Sequence, residues 1–185
     1  MSRVRESAPF LVRATERLEG ARVLDPAVRL LAPAARKLIG SPGRRRVLQG
    51  HDLGHAIHPL LTDLPIGFWT SATVLDLVGG RDSRPAARRL VGLGLVSAGP
   101  TALTGWAEWA VVDGRPQRRV GVVHAVANIT AVVAYAASWR ARSRGDQARG
   151  RNLALAGATV ASVGGYLGGH MTSARKVSSR HPAFE

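Results

Sequence analysis

The side chains here that invite cofactor or metal chemistry are histidines. The 185 residues contain six of them and no cysteine, so thiolate ligands, disulfides and cysteine nucleophiles are all excluded. His55 and His58 open the run HAIHPLLTDLPIGFWTSATVLD, which ends at Asp76; His124 stands one helical turn before Asn128; His170 closes GGYLGGH. Two neutral imidazoles on facing helices can ligate a b-type haem axially, and the interior of a helical bundle is a common place for one. Three imidazoles plus a carboxylate suit zinc or a similar divalent ion. Asp63 or Glu108 would supply the carboxylate, as a ligand or as the partner that orients a ring. The same imidazoles with Asn128 would equally make an interhelical hydrogen-bond network that binds nothing. The ligand pool is therefore His58, His124 and His170, with His55 able to swing in and with Asp63, Asn128 and Glu108 around them. Residue types alone leave the three readings open.

Apolar segments must position these residues. The formal charge is +14, which in a soluble protein would point to nucleic acid. A mean hydropathy of +0.01 hides a different layout. Charges crowd into the first 50 residues, the connectors and the tail. Between them lie four stretches of roughly 20 mostly apolar residues, the length that crosses about 30 Å of hydrocarbon. The spacing predicts spans over 59–78, 90–112, 120–139 and 152–171, and no nucleic-acid partner is expected. The fold class that follows is all-α, an integral membrane four-helix bundle. Pro65 should bend the first span, Asp63 should face the interior, and Asp76 should pair with connector arginines such as Arg81. In the last span Gly157, Ala161, Gly165 and Gly169 recur every four residues, and Gly164 and Gly168 repeat the spacing. Such a ladder lets a helix or a flat ligand approach the backbone. No internal repeat, P-loop, dinucleotide fingerprint or nucleophile elbow is evident.

Counting antiparallel crossings fixes depth. His55 and His58 begin the first span, Glu108 ends the second, His124 lies one turn into the third, and His170 ends the fourth. All of these fall in or beside one leaflet, with Asp63 and Asn128 slightly deeper. The opposite half holds only Asp76.

Residues 1–50 form a separate arm, ahead of a spanning domain over 51–173 and a tail over 174–185. The arm carries eleven basic groups against four acids. Val28, Leu31, Ala35 and Leu38 would line one side of a helix that starts at Asp25-Pro26. A basic amphipathic helix beside a membrane span reads as one lying on anionic lipid head groups. MSRVRESAPF lacks the apolar core of a cleaved signal peptide. The basic residues near the spans divide evenly between the two sides, so the long basic arm decides orientation: both termini are expected on the cytoplasmic side of a bacterial inner membrane, in a multi-pass protein.

Four segments together resemble one family. GHAIHPLLTDLPIGFWTSATVLDLVGG is close to its G-H-x-x-H-P-L-L-x-x-x-P-I-G…D pattern, GPTALTGWAEW to its P-T-A-x-x-G-x-x-(D/E)-W segment, HAVANITAVVAYAASWRAR to its H-x-x-x-N…S-x-x-x-R segment, and GGYLGGHM to its G-G-x-L-G-G-H segment. The resemblance is to the bacterial four-span membrane domain of unknown function, family 2231, over about residues 50–173. It implies His55, His58, Pro59, Pro65, Asp76, Glu108, His124, Asn128 and His170 as motif positions. Some members are fused to a Rieske iron–sulfur domain, which implies a Rieske-type or quinone redox partner and favours haem over a hydrolytic metal. Without cysteine, this chain carries no such centre in cis.

Overall fold

The computed structural model describes residues 8–179, and over that range the chain forms seven α-helices and no strand. The arm holds α1 (Phe10–Gly20), a 3-10 turn (Arg22–Leu24), α2 (Asp25–Leu38) and α3 (Pro42–Leu48). Four long helices follow: α4 (His58–Val78), α5 (Arg84–Ala110), α6 (Arg115–Ser143) and α7 (Gln147–Gly169), the last running into a π-helical turn at His170–Ala174. Arg3, Arg5 and Glu6 of the arm, and Arg180 and His181 of the tail, lie outside the described residues.

Each long helix overlaps its expected span, but α5 and α7 end two residues short of it, at Ala110 and Gly169, and α5, α6 and α7 begin earlier than the apolar pattern suggests. Pro85 and Pro116 sit in the first turns of α5 and α6, where a preset φ and a missing N–H suit a helix start. The basic connectors are therefore wound into helix. Asp146 caps α7 by accepting from the Arg149 N–H at 3.1 Å.

The long helices form two hairpins. α4 packs along α5 and α6 along α7; α5 then meets α6 and α4 meets α7, which leaves α4 and α6 diagonal to one another. Buried positions on these helices are mostly glycine, alanine and threonine, whereas Leu60, Ile66, Val74, Val96, Ile129 and Val133 are exposed. That is the reverse of a water-soluble core, and it suits helices packed closely by small residues in lipid. By length and composition α5 and α6 can each cross a membrane.

The apolar side of α2 is used differently from the expectation. Val28, Ala32 and Ala35 pack on Trp109, Ala110, Val112 and Val122 of α5, α6 and their connector. Two alanines bring the α2 backbone close enough for that contact, so the side predicted to meet lipid is covered by protein. Asp25 lies within the first turn of α2, and Leu24 precedes the helix. Its carboxylate is taken by Arg119, with Nε–Oδ1 at 2.7 Å and Nη2–Oδ2 at 3.0 Å.

Candidate functional site

His58 opens α4 and reaches across to α5. Its Nδ1 lies 3.0 Å from the Thr101 carbonyl and 3.3 Å from the Thr104 hydroxyl. The ring lies against Gly105, where an added Cβ would come within 2.8 Å of it. His124 does the same from α6 to α7. Its Nδ1 lies 2.8 Å from the Gly164 carbonyl, and the ring lies against Gly168. A carbonyl only accepts, so each Nδ1 carries the proton and each Nε2 presents a lone pair. Asn128 donates to the His124 Nε2 at 3.0 Å; among the described residues the His58 Nε2 has no hydrogen-bond partner.

These two contacts belong to a longer correspondence. Trp69 stands eleven residues after His58, and Tyr135 eleven after His124. Eleven residues is close to three helical turns, so each aromatic shares its histidine's side of the helix. Trp69 packs on Gly94 of α5 and donates to the Val91 carbonyl at 3.3 Å, while Tyr135 packs on Gly157 of α7. Gly94 precedes Gly105 by eleven residues, and Gly157 precedes Gly168 by eleven. The two rings stack on each other, with centroids 4.0 Å apart and planes 10° from parallel. Eighteen residues after each histidine stand Asp76 and Arg142, which form a buried ion pair. The hairpin α4–α5 is thus repeated by α6–α7 in an approximate two-fold relation, across which Trp69 meets Tyr135 and Asp76 meets Arg142. No internal repeat was evident in the sequence because the matched histidines and glycines are few and widely spaced, and the pairs between them, Trp69 with Tyr135 and Asp76 with Arg142, differ in residue type.

Neighbouring groups complete the hairpins. Pro65 lacks the N–H that would bond the Leu61 carbonyl, and the Thr101 hydroxyl of α5 reaches that carbonyl at 3.0 Å, sharing its one proton with the Ser97 carbonyl at 2.9 Å. Arg142 also donates from Nε to the Ser138 hydroxyl at 3.1 Å. Asp76 therefore pairs with Arg142 rather than Arg81: α6 carries its guanidinium to the same level of the helices, whereas Arg81 is exposed in the turn after α4.

The other expected site residues go elsewhere. His170 turns to the arm, with Nε2 2.9 Å from Glu19 Oε1, and Arg175 donates from Nε to the same oxygen at 2.6 Å. Burial works to raise the Glu19 carboxyl, but the hydrogen bonds from Arg175 and His170 outweigh it and hold the group below the usual carboxylate value. Glu108, expected to stay wet, is buried and accepts the Ser179 N–H at 2.7 Å. Ser179 also accepts the Ala56 N–H through its carbonyl at 2.9 Å, which ties the tail over the start of α4. A cavity of about 970 Å³ opens beside Glu108, between α3 and the tail. Asp63, expected inward, is exposed, because it lies off the side of α4 that carries His58, Trp69 and Asp76. His55 is also exposed, with Nδ1 3.1 Å from the Ala56 carbonyl. In the glycine ladder, Gly157, Gly164 and Gly168 receive Tyr135, Asn128 and His124, while Gly165 and Gly169 have nothing against them. Among the described residues no three His, Asp or Glu side chains converge to hold a metal ion. Sequence reasoning missed Thr101, Thr104 and Gly105, the floor beneath His58, although their Thr-x-x-Thr-Gly spacing puts two hydroxyls and a gap on one side of a helix.

Long helices that bury small residues, turn leucine and valine outward and hold polar pairs between them define a helical membrane protein. The chain belongs to the family described as "Predicted membrane protein (DUF2231)", whose model matches residues 54–181, from just before α4 into the tail. No curated protein and no solved structure matches the chain.

Proposed function

We propose that the four long helices all cross a bacterial inner membrane and that His58 and His124 together bind one b-type haem in an electron-transfer module. α4 and α7, at 21 and 23 residues, reach about 30 Å at 1.5 Å per residue, which supports four crossings. The contact of Glu19 with Arg175 brings the arm and the tail to one end, in keeping with both termini on the cytoplasmic side.

The observation that carries the haem reading is the matched pair of Nδ1–carbonyl bonds. A ligating imidazole ordinarily donates its second ring N–H to a carbonyl or carboxylate, which fixes the tautomer and frees the other nitrogen. Two neutral imidazoles on diagonal helices of the four fit a group that takes two protein ligands. Zinc fits less well, because it needs three or four, and His170 is engaged by Glu19. Haem, when bound, would supply one-electron chemistry, and a quinone or a Rieske-type protein would be the exchange partner. The chain's own part is to hold the two half-buried rings against Gly105 and Gly168.

A second reading rests on Asn128. Its amide already occupies the His124 Nε2, so the rings would also serve as an interhelical network with no cofactor. Haem titration of the detergent-purified protein separates the two. Saturation at one haem per chain with a Soret band supports the ligand reading, and no Soret band leaves the network.

A further inference from the structure

The arm has two sides, and the rest of the chain uses one of them. On α2, Ala35 is 1 % exposed against α5 and α6, whereas Leu30, pointing the opposite way, is 78 % exposed. Val23, in the turn before α2, is 83 % exposed, and Phe10, at the start of α1, is 69 % exposed. At about 100° per residue, Phe10 and Arg17 share the side of α1 turned away from buried Thr15, and Leu30, Ala34 and Lys37 share the outer side of α2.

Charge around these residues is mostly positive. Between Phe10 and Leu38, Arg17, Arg22, Arg29, Arg36 and Lys37 are exposed, and Glu16 is the single exposed acid. The other two acids are consumed by the bundle: Asp25 by Arg119, and Glu19 by His170 and Arg175. Large apolar side chains flanked by long cations are the composition of a helix lying in a membrane interface, where the cations reach up to lipid phosphates while their stems and the apolar groups sink. A second copy of the chain is the poorer occupant, because two such surfaces would face each other with like charge. The level is also right. The inner side of α2 is fixed to Val112 and Val122, at the adjoining ends of the two helices that are long and apolar enough to cross a membrane.

We propose that the outward side of the arm, carrying Phe10, Val23 and Leu30 among its arginines, seats in the head-group layer of an anionic bilayer while the inner side stays docked on α5 and α6. The absence of cysteine allows a direct test on the full chain. Val23→Cys and Leu30→Cys are each labelled with an environment-sensitive fluorophore and reconstituted into phosphatidylcholine vesicles with or without phosphatidylglycerol. Both positions are exposed, so the fold tolerates the change. In anionic vesicles the emission should shift to the blue and be quenched by spin-labelled lipid, and both effects should shrink in neutral vesicles and with Arg29→Glu/Arg36→Glu. Emission typical of water at both positions in anionic vesicles would overturn the proposal. So would shielding that persists in neutral vesicles and in detergent and follows protein concentration, since a second copy would then cover the surface.

Discussion

Trp69 and Tyr135 lie face to face across the diagonal of the four long helices, each against a glycine of its own hairpin partner, Gly94 or Gly157. The stack is the centre of the approximate two-fold relation, with the imidazoles three turns towards the arm and the Asp76–Arg142 pair about two turns the other way. Its geometry depends on the absence of a side chain at the two glycines. Gly94→Ala puts a methyl group into the Trp69 indole and should destabilise the protein by about 1–3 kcal/mol. Gly99→Ala and Gly165→Ala, with open space around them, should leave it unchanged. Thermal unfolding in one detergent compares all three.

The Asp76–Arg142 pair is buried, with side chains 8 % and 1 % exposed. Removing one partner leaves an uncompensated charge among helices, at a cost of about 3–5 kcal/mol. Asp76→Leu and Arg142→Leu should each lower the unfolding midpoint sharply, and the double substitution should recover most of the loss. A double-mutant cycle on the midpoints reads the coupling.

Thr101 serves the carbonyl that Pro65 leaves bare. Thr101→Val should cost about 1–3 kcal/mol by leaving that acceptor unpaired. Pro65→Ala restores an N–H to the Leu61 carbonyl, so Thr101→Val should cost less in that background. Equal losses in both backgrounds would deny the compensation.

Arm docking should depend on acid. The Glu19 and Asp25 carboxyls are both held below their ordinary values of 4.5 and 3.8. For Glu19 the stabilising hydrogen bonds overcome burial; for Asp25 the hydrogen bonds from Arg119 are the largest cause. A carboxyl with a depressed folded value adds stability that is present above its ordinary value and lost as pH falls through the folded one. Proteolysis between α3 and α4 should therefore stay slow from neutral pH down to about pH 4.5 and accelerate below it. Glu19→Gln should be cut faster already at neutral pH.

Much of the fold was legible. The four apolar runs became α4 to α7 because each is long, small-residue-rich and bounded by basic connectors, and those features act locally. The turn that joins His124 to Asn128 was legible for the same reason. The two-fold relation was not: the matched histidines and glycines stand alone at wide spacing, while Trp69 matches Tyr135, Asp76 matches Arg142 and Thr101 matches Gly164, since a shared position in the packing need not impose a shared residue type. The destination of His170 was also hidden. Glu19 lies 151 residues away in the chain, and nothing near either residue marks the other. Asp63 misled because an acid within an apolar run suggests an interior partner, whereas its angle on α4 turns it away from the neighbouring helices.

The pairing of His58 with His124 is tested most directly by haem binding in single-histidine variants of the full chain. His58→Ala and His124→Ala should each abolish the Soret band of the haem-loaded protein while far-ultraviolet circular dichroism stays unchanged, and His55→Ala and His170→Ala should retain it. A Soret band that survives both His58→Ala and His124→Ala, or that never forms on the parent protein at saturating haem, would contradict the account.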